Sequence, residues 1–326
     1  MVLNQNEFVA SLVNIVVKTR INDTTKGRRI YDLIDTALID AQEYGEGELI
    51  ISSDTLTVED YNPTSSLLTA RKPKVDEQRI ETTDKKMIAV TINRYLMKGA
   101  FENETAIYDA IVQIEAMLNK TKDIYTYKKI VTAFEGWAPT NNEGQPVNQT
   151  TQVVTIDLID TTGMTGSQLV ESNKANALTI YSTVRKYSLN MLAPSRKYNE
   201  INFEAMYNAD DMNFIVNGNF DEFINTYAYA SLLNSDKLNN IKLYDKSIII
   251  PEDQFTNADT KNKTIGWLAE KKKYVIQPRF IVGMSFEDGS NLNLNEFLHL
   301  WYNSAMVKSR GMVKFVANFV KPTTNK

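Results

Sequence analysis

The chain has 326 residues, and its 36 basic and 40 acidic side chains give a net charge of -4 at pH 7. Hydrophobic residues make up 43% and charged residues 23%, which is the composition of a folded protein without the positive charge that attracts nucleic acid or an anionic membrane. The absence of cysteine and the single histidine, His299, exclude disulfides, zinc–thiolate sites, thiol nucleophiles and any site that needs two histidines.

The first elements in chain order are predicted to be helical. An apolar run near the N-terminus lacks the preceding basic residues of a signal peptide, and it is too short and interrupted for the roughly 18 apolar residues of a membrane span. Its apolar residues on one helical face are Val9, Leu12, Val13 and Val16. This spacing predicts an amphipathic arm, followed by a short helix over residues 30–44 that ends near Gly45.

Residues 48–93 change character and become β-prone but polar. Apolar and β-branched runs such as Leu49-Ile-Ile51 and Met87-Ile-Ala-Val90 are separated by the breakers Asn62-Pro63 and Lys72-Pro73. So many polar strand residues cannot bury enough surface to form a core by themselves. The segment therefore predicts a long hairpin that gains partners from neighbouring copies of the chain.

A long helix is predicted to follow, from Asn103 as N-cap to about Glu135. Its apolar residues repeat at intervals of three and four, with one polar interruption at residues 119–123, which leaves one kinked helix or two abutting helices open. Gly136 and Pro139 end it.

The remaining chain alternates between strands and helices, which gives a mixed α+β fold class. Strands are predicted at 152–160, 214–216, 241–244, 247–250, 274–276, 280–284 and 312–320. Helices are predicted from about 165 to 190, closed by Pro194, and near 221–233.

Few residues favour chemistry. The paired carboxylates are sequence neighbours, which does not place two acids across one cleft, so we interpret them as solvated. His299 lies among apolar residues and is interpreted as a packed core residue. Lys271, Lys272 and Lys273 could contact phosphates, but a solvated turn between two strands is the preferred interpretation. No catalytic, metal or cofactor-binding residue is predicted, and the chain is not expected to be an enzyme.

Three segments and their order resemble a known family. Residues 185–198, beginning Arg185-Lys-Tyr-Ser-Leu189, residues 211–245, and the aromatic-rich segment 295–319 are similar to major capsid proteins of small short-tailed bacteriophages of the phi29 type. Those proteins have the Hong Kong 97-type capsid fold. The predicted arm, hairpin, long helix, strand–helix–strand unit and final strand occur in that family's order.

The resemblance implies a domain organisation. Residues 1–47 would be an N-terminal arm and 48–93 the extended β-hairpin, or E-loop. Residues 94–194 and 278–326 would form the peripheral domain with its spine helix, and residues 195–277 the axial domain. Candidate contacts between subunits are the side chains of Tyr61, Arg71, Lys72, Lys74 and Arg79.

The resemblance also implies a function. The chain would be a structural protein of the virion that self-assembles as pentamers and hexamers into an icosahedral or prolate head. Its partners would be further copies of itself, scaffold and portal proteins, and double-stranded DNA contacted without sequence specificity. No membrane partner or cofactor is implied.

Two alternatives stay open at this stage. An encapsulin-like compartment would share the fold and differ in its cargo. A nucleic-acid or glycan-binding module would use the lysines at 271–273 together with Trp137 and Trp267, if those tryptophans were exposed.

Overall fold

The structure of the chain is a computed structural model. It describes residues 29–39, 48–56, 58, 60, 72–93, 104–140, 152–229, 247–288, 290 and 293–321. These fall into two units. The first comprises Met1–Glu48, Arg79–Ile130 and Tyr274–Ala305, and the second comprises Leu49–Gln78, Val131–Lys273 and Met306–Lys326, each including only its described residues.

Helices and strands are mixed throughout the described residues. The helices are α1 (Arg29–Ala37), α2 (Glu104–Glu135), α3 (Gly166–Met191), α4 (Gly218–Ile224) and α5 (Ala258–Lys263). The strands are β1 (Glu48–Ser53), β2 (Val75–Ile80), β3 (Thr82–Asn93), β4 (Val153–Ile159), β5 (Met212–Asn217), β6 (Ser247–Ile250), β7 (Thr264–Glu270), β8 (Tyr274–Asp288), β9 (Asn293–Met306) and β10 (Met312–Val320).

The first unit is built on a three-stranded sheet in the order β3-β9-β8. Strand β9 alternates, so that Leu298, Leu300 and Tyr302 are buried while the intervening residues are less so. The Tyr302 ring lies 6.1 Å from that of Tyr125 on α2. Helix α2 also contacts β3, where the Lys129 ammonium lies 2.7 Å from the Asp84 carboxylate. One face of the sheet thus packs within the unit.

The second unit contains a five-stranded mixed sheet in the order β4-β10-β7-β5-β6. Its central strands β5 and β7 are buried almost along their whole length, as expected for strands covered on both faces. Helices α3 and α4 supply the apolar side chains that complete this core, among them Ile180, Val184 and Phe220. Gly266 permits the close approach of β5, since a Cβ there would lie 2.5 Å from the Ile215 carbonyl oxygen.

Several predicted elements are confirmed. Helix α2 is one continuous helix of 32 residues, so the alternative of two helices is wrong. The strands at 153–159 and 312–320 and the helix at 166–191 match their predicted positions. The strands predicted at 274–276 and 280–284 form one strand, β8. The strand predicted at 241–244 and the amphipathic segment with Val9, Leu12, Val13 and Val16 lie outside the described residues.

Two predicted boundaries differ from the structure. Helix α1 ends at Ala37 instead of Tyr44, because Leu38 leaves it to pair with Ile276 of β8. The helix predicted near 221–233 begins earlier, at Gly218, and turns into a single π-helical turn, Asn225–Tyr229.

Strand pairing also departs from the predicted ranges. Of the segment 48–93, β1 and β2 pair with each other, whereas β3 pairs antiparallel with β9 over its length. Strands β4 and β10 share one sheet with β5, β6 and β7, although the sequence assigned them to different domains. Alternation shows which side chains share a face, but it does not identify the neighbouring strand.

Candidate functional site

The described residues offer no conventional chemical site. Among them, no three His, Asp or Glu side chains are grouped so that they could hold a metal ion. No helix in the described part of the chain is long and apolar enough to cross a membrane. His299 is only half-buried, on a strand of the first unit, rather than a fully packed core residue.

The β1–β2 hairpin is the most unusual surface of the second unit. Five of its apolar side chains are exposed: Ile51 is 61% and Val58 97% exposed, and Leu49, Leu56 and Val75 are also exposed. Ile50 is half-buried, and Ile80 at the end of β2 is buried. Scattered exposed apolar residues are common, but several on one two-stranded ribbon indicate a surface that another molecule covers.

The predicted contact residues lie on or beside this hairpin where the structure describes them. Lys72, Lys74 and Arg79 are exposed, and Arg79 forms a solvent-exposed ion pair with Glu81 at 3.5 Å. Tyr61 and Arg71 lie outside the described residues. The described three present charge next to the exposed apolar side chains, which is the composition of an interface rim.

A charged cluster holds the hairpin where β1 ends, and we call it the clasp (Asp54, Thr55, Arg196 and Glu204). The Arg196 guanidinium donates to the Asp54 carboxylate at 2.6 Å, and the backbone N–H of Glu204 donates to the other Asp54 oxygen at 3.0 Å. The Thr55 hydroxyl donates to Glu204 at 2.9 Å. The Glu204 N–H and then Arg196 lower the pKa of Asp54 to about 2, so its carboxylate is ionised at neutral pH.

The loop that carries the clasp is itself well ordered by hydrogen bonds. Asn199 accepts from the Phe203 N–H at 2.9 Å and donates to the Phe203 carbonyl at 2.7 Å. Across the hairpin, the backbone N–H of Asp54 donates to the Lys74 carbonyl at 2.9 Å. The Lys74 ammonium lies over the Phe203 ring, 5.1 Å from its centroid. The end of β1 and the start of β2 therefore both contact the same loop.

A second anchor lies closer to the base of the hairpin, at Gln78. Its side-chain amide donates to the Met306 carbonyl at 2.7 Å and accepts from the Lys308 N–H at 2.9 Å. This bidentate contact fixes β2 to the turn between β9 and β10.

A buried ion pair joins the two anchoring segments. The Lys273 ammonium lies 2.8 Å from the Glu200 carboxylate and donates to the carbonyls of Val307 and Arg310 at 2.9 and 3.0 Å. The same Glu200 oxygen accepts from the Trp137 indole at 3.0 Å. Burial lowers the pKa of Lys273, while Glu200 opposes that shift. The clasp loop and the β9–β10 turn are therefore joined through the interior.

This network corrects two interpretations of the sequence. The lysines at 271–273 do occupy a turn between strands, but of the three only Lys272 is exposed. Lys271 is half-exposed and pairs with Asp211, and Lys273 is buried. Trp137 and Trp267 are buried and not exposed. The binding module that relied on them therefore loses its proposed surface. A single sequence carries no signal for a buried lysine, because its partner Glu200 is distant along the chain.

A second apolar surface lies in the first unit, on the outer face of the three-stranded sheet. Met87, Phe280, Met284 and Phe286 are exposed there. The Phe280 ring packs against the Trp301 ring in a tilted arrangement with centroids 4.9 Å apart, and the Lys85 ammonium lies 4.7 Å from the centroid of the Trp301 ring. Sequence reasoning missed this surface, because the strands that form it come from distant parts of the chain.

Comparison with protein families shows to which family a chain with these two exposed surfaces belongs. The family model of the Phi29-like phage major capsid protein matches residues 2–316. The chain belongs to this family. It is a structural, non-enzymatic major capsid protein that forms phage heads, and its place is the capsid of the virion. A search of curated protein sequences found no match.

Solved structures show the same fold at low sequence identity. The capsid structure of Staphylococcus phage Andhra matches with a TM-score of 0.60 and 13% identity over 90% of this chain and 87% of that one. A chain from the structure of the head fibre and inner core protein gp22 of native bacteriophage P68 matches with a TM-score of 0.57 and 11% identity, covering 86% and 83%. The capsid protein thus has an α+β, Hong Kong 97-like fold, and a capsid lattice of its own copies is implied.

Proposed function

We propose that the β1–β2 hairpin is the element by which each capsid protein subunit binds a neighbouring subunit in the shell. The observation that carries this proposal is the exposure of its apolar side chains on a hairpin that is firmly anchored at its base. Ordering each residue costs on the order of 1–2 kcal/mol in backbone entropy. Burial of Leu49, Ile51, Leu56, Val58 and Val75 against another copy would offset that cost.

We assign the family's subdomains in outline as the sequence predicted them, except that strands β4 and β10 move from the peripheral to the axial domain. Residues 1–47 are the N-terminal arm, the E-loop lies within 48–93 with β1 and β2 as its paired strands, and α2 is the spine helix. Because β4 and β10 share a sheet with β5, β6 and β7, we place that whole sheet in the axial domain. The three-stranded sheet then belongs to the peripheral domain.

The partners follow from this assignment. Pentamers and hexamers of the subunit form an icosahedral or prolate head around double-stranded DNA, with scaffold and portal proteins as assembly partners. Tyr61, Arg71, Lys72, Lys74 and Arg79 contribute polar contacts around the apolar part of the hairpin. The exposed face of the three-stranded sheet provides a second surface for burial between subunits.

Deletion of the hairpin tip tests the proposal. Replacing residues 56–72 by a short Gly-Asn turn keeps Asp54, Lys74 and Gln78, so the anchors remain. We expect a subunit with an unchanged melting temperature that forms no closed shells when it is produced with the other head proteins of its phage, as judged by electron microscopy.

The matched control is a full-length hairpin with Lys72→Gln, which should still form shells because single rim charges contribute little. Normal shells from the deletion variant would contradict the proposal. An unfolded deletion variant would show that the hairpin is part of the subunit core instead.

A further inference from the structure

Helix α3 presents apolar side chains to solvent as well as to its own core. Ala177, Ile180 and Val184 belong to the buried core of the second unit. Roughly a third of a turn further around the helix, four aliphatic side chains are between 38% and 57% exposed. They are Val170, Leu178, Leu189 and, at the C-cap, Leu192. The core of the subunit explains the first apolar side of α3, but it does not explain the second.

The exposed side chains lie in one line along the helix, which we call the α3 stripe. It consists of Val170, Lys174, Leu178, Arg185, Leu189 and Leu192. Successive members are three, four or seven residues apart, so they stay on one side of a helix with about 3.6 residues per turn. At about 1.5 Å per residue, the stripe is about 33 Å long. Single exposed aliphatic side chains are ordinary, whereas a continuous line of them indicates a surface that another molecule covers.

The two cations of the α3 stripe have no acidic partner among the described residues. The Arg185 guanidinium donates to the Tyr181 hydroxyl at 3.1 Å, which leaves its charge uncompensated. Helix α3 as a whole has three cations, Lys174, Arg185 and Lys186, and a single carboxylate, Glu171. The stripe is therefore both apolar and positive, on a chain whose net charge is -4.

This surface fits a second helix. The backbone groups of α3 bond within the helix, so a partner contacts only side chains, and a straight line of side chains packs well along another helix. The partner needs apolar residues opposite Leu178 and Leu189. It needs acidic residues opposite Lys174 and Arg185, because burying a cation without a paired charge is costly. An amphipathic helix with acidic residues has both.

Two other partners fit the α3 stripe less well. DNA would place phosphates against Lys174 and Arg185, but protein–DNA interfaces are polar and would leave Leu178 and Leu189 without apolar contacts. A second copy of α3 would bring the same excess of cations to the interface, and like charges repel. The charge and the apolar line together favour an acidic helix.

We propose that the α3 stripe is a docking surface for an acidic amphipathic helix of a different protein. The aliphatic side chains supply the buried contact, and Lys174 and Arg185 select acidic partners and fix the register of the helix. This surface lies outside the β1–β2 hairpin, so the inference does not rest on the proposed function of that hairpin.

Designed peptides test the stripe on unassembled, full-length subunits. The first probe is a fluorescent helical peptide of about 22 residues, with leucine at three- and four-residue intervals and glutamate beside each leucine. The second probe replaces every glutamate by lysine, and the third is a DNA duplex of similar length. Fluorescence anisotropy measures the Kd of each probe.

We expect the acidic peptide alone to bind the wild type. Lys174→Glu combined with Arg185→Glu should raise its Kd about tenfold or more, because two attractive charge pairs become repulsive. The same variant should gain binding of the lysine peptide. Leu178→Ser combined with Leu189→Ser should also raise the Kd of the acidic peptide about tenfold, since the apolar anchors are lost.

The matched control changes the net charge equally at other exposed positions of the second unit. Lys197→Glu combined with Lys272→Glu should leave the Kd of the acidic peptide within about twofold of the wild type. An equal loss of binding in this control would overturn the proposal, as would failure of the acidic peptide to bind the wild type. Binding of the DNA duplex that is lost with Lys174→Glu and Arg185→Glu would assign the stripe to DNA instead.

Photo-cross-linking identifies the partner in cells that produce the subunit with the other head proteins of its phage. A photoreactive residue replaces Leu189 in the stripe or, as control, Thr179, which is exposed on another side of α3. Only position 189 should cross-link, and mass spectrometry should place the cross-link in an acidic segment of a different protein with apolar residues at helical spacing. A cross-link to a second capsid subunit or to DNA, or none at all, would refute the docking surface.

The hairpin-tip deletion separates this inference from the proposed function. That variant keeps α3 intact, so it should bind the acidic peptide with the Kd of the wild type. A deletion variant that forms normal shells contradicts the role of the hairpin and leaves the peptide result unaffected. Loss of peptide binding in the folded deletion variant would show that the peptide binds the hairpin and not α3.

Discussion

The five-stranded sheet and the hairpin are both β-structures of the second unit, yet apolar side chains are buried in the sheet and largely exposed on the hairpin. Residues of β5 and β7 are buried, and Ile250 of β6 is fully buried. On the hairpin, Ile51 is mostly exposed although it too lies in a regular strand. The difference is one of neighbours: helices of the same subunit cover the sheet, whereas in the proposed function another copy of the chain covers the hairpin. Strand composition alone therefore does not decide burial.

The largest effect on the stability of the subunit is expected at the buried Lys273–Glu200 ion pair, which joins the two segments that anchor the hairpin. Lys273→Met leaves the Glu200 carboxylate buried without its cation, so we expect a loss of about 3–5 kcal/mol in the free energy of unfolding. Denaturant unfolding of unassembled subunits measures it. Lys271→Met, in the same turn but half-exposed, should cost only about 0–1 kcal/mol. Equal losses of unfolding free energy in the two variants would show that the Lys273–Glu200 pair is not part of the core.

A matched pair of isoleucines tests the comparison directly. Ile250→Ala creates a cavity in the sheet and should cost about 2–5 kcal/mol. Ile51→Ala removes an exposed side chain and should change the stability of the unassembled subunit by no more than about 0.5 kcal/mol, yet lower the yield of shells. A cost for Ile51→Ala comparable with that for Ile250→Ala would mean that the hairpin is covered within its own subunit.

A buried carboxyl group in the three-stranded sheet is expected to make the stability of the subunit depend on pH, which exposed carboxyl groups do not do. Glu296 of β9 is buried, one of its carboxylate oxygens has no hydrogen-bond partner among the described residues, and burial raises its pKa to about 7. An unfolded glutamate titrates near pH 4.3. Between about pH 4.3 and 7 the unfolded state therefore loses its proton first, and the stability of the wild type falls as the pH rises.

Glu296→Gln removes this dependence. We expect the variant to exceed the wild type by about 1–2 kcal/mol at pH 8, with the difference shrinking towards pH 4.5. Thermal or denaturant unfolding across that range measures it, with the exposed Glu171→Gln as control. A difference that stays constant with pH would rule out the titration of Glu296 as its cause.

The sequence alone determined the elements with strong local periodicity and the family. Helix α2 followed from apolar residues at three- and four-residue intervals, and β4 and β10 followed from simple alternation. The order of elements together with the segment 295–319 indicated a capsid protein, which the family match confirms. These signals lie within short segments or in the order of the elements along the chain, so they can be read from the sequence without a structure.

Tertiary structure decided which surfaces are covered. Lys273 is buried because Glu200 and two carbonyls from the β9–β10 turn meet it, and Arg196 meets Asp54, a residue 142 positions away in the chain. Strand β3, which the sequence placed in the hairpin segment, pairs antiparallel with the distant strand β9 over its length. Periodicity shows which face of a strand is apolar. What covers that face depends on contacts between distant residues, and for the hairpin we propose that a second copy of the chain covers it.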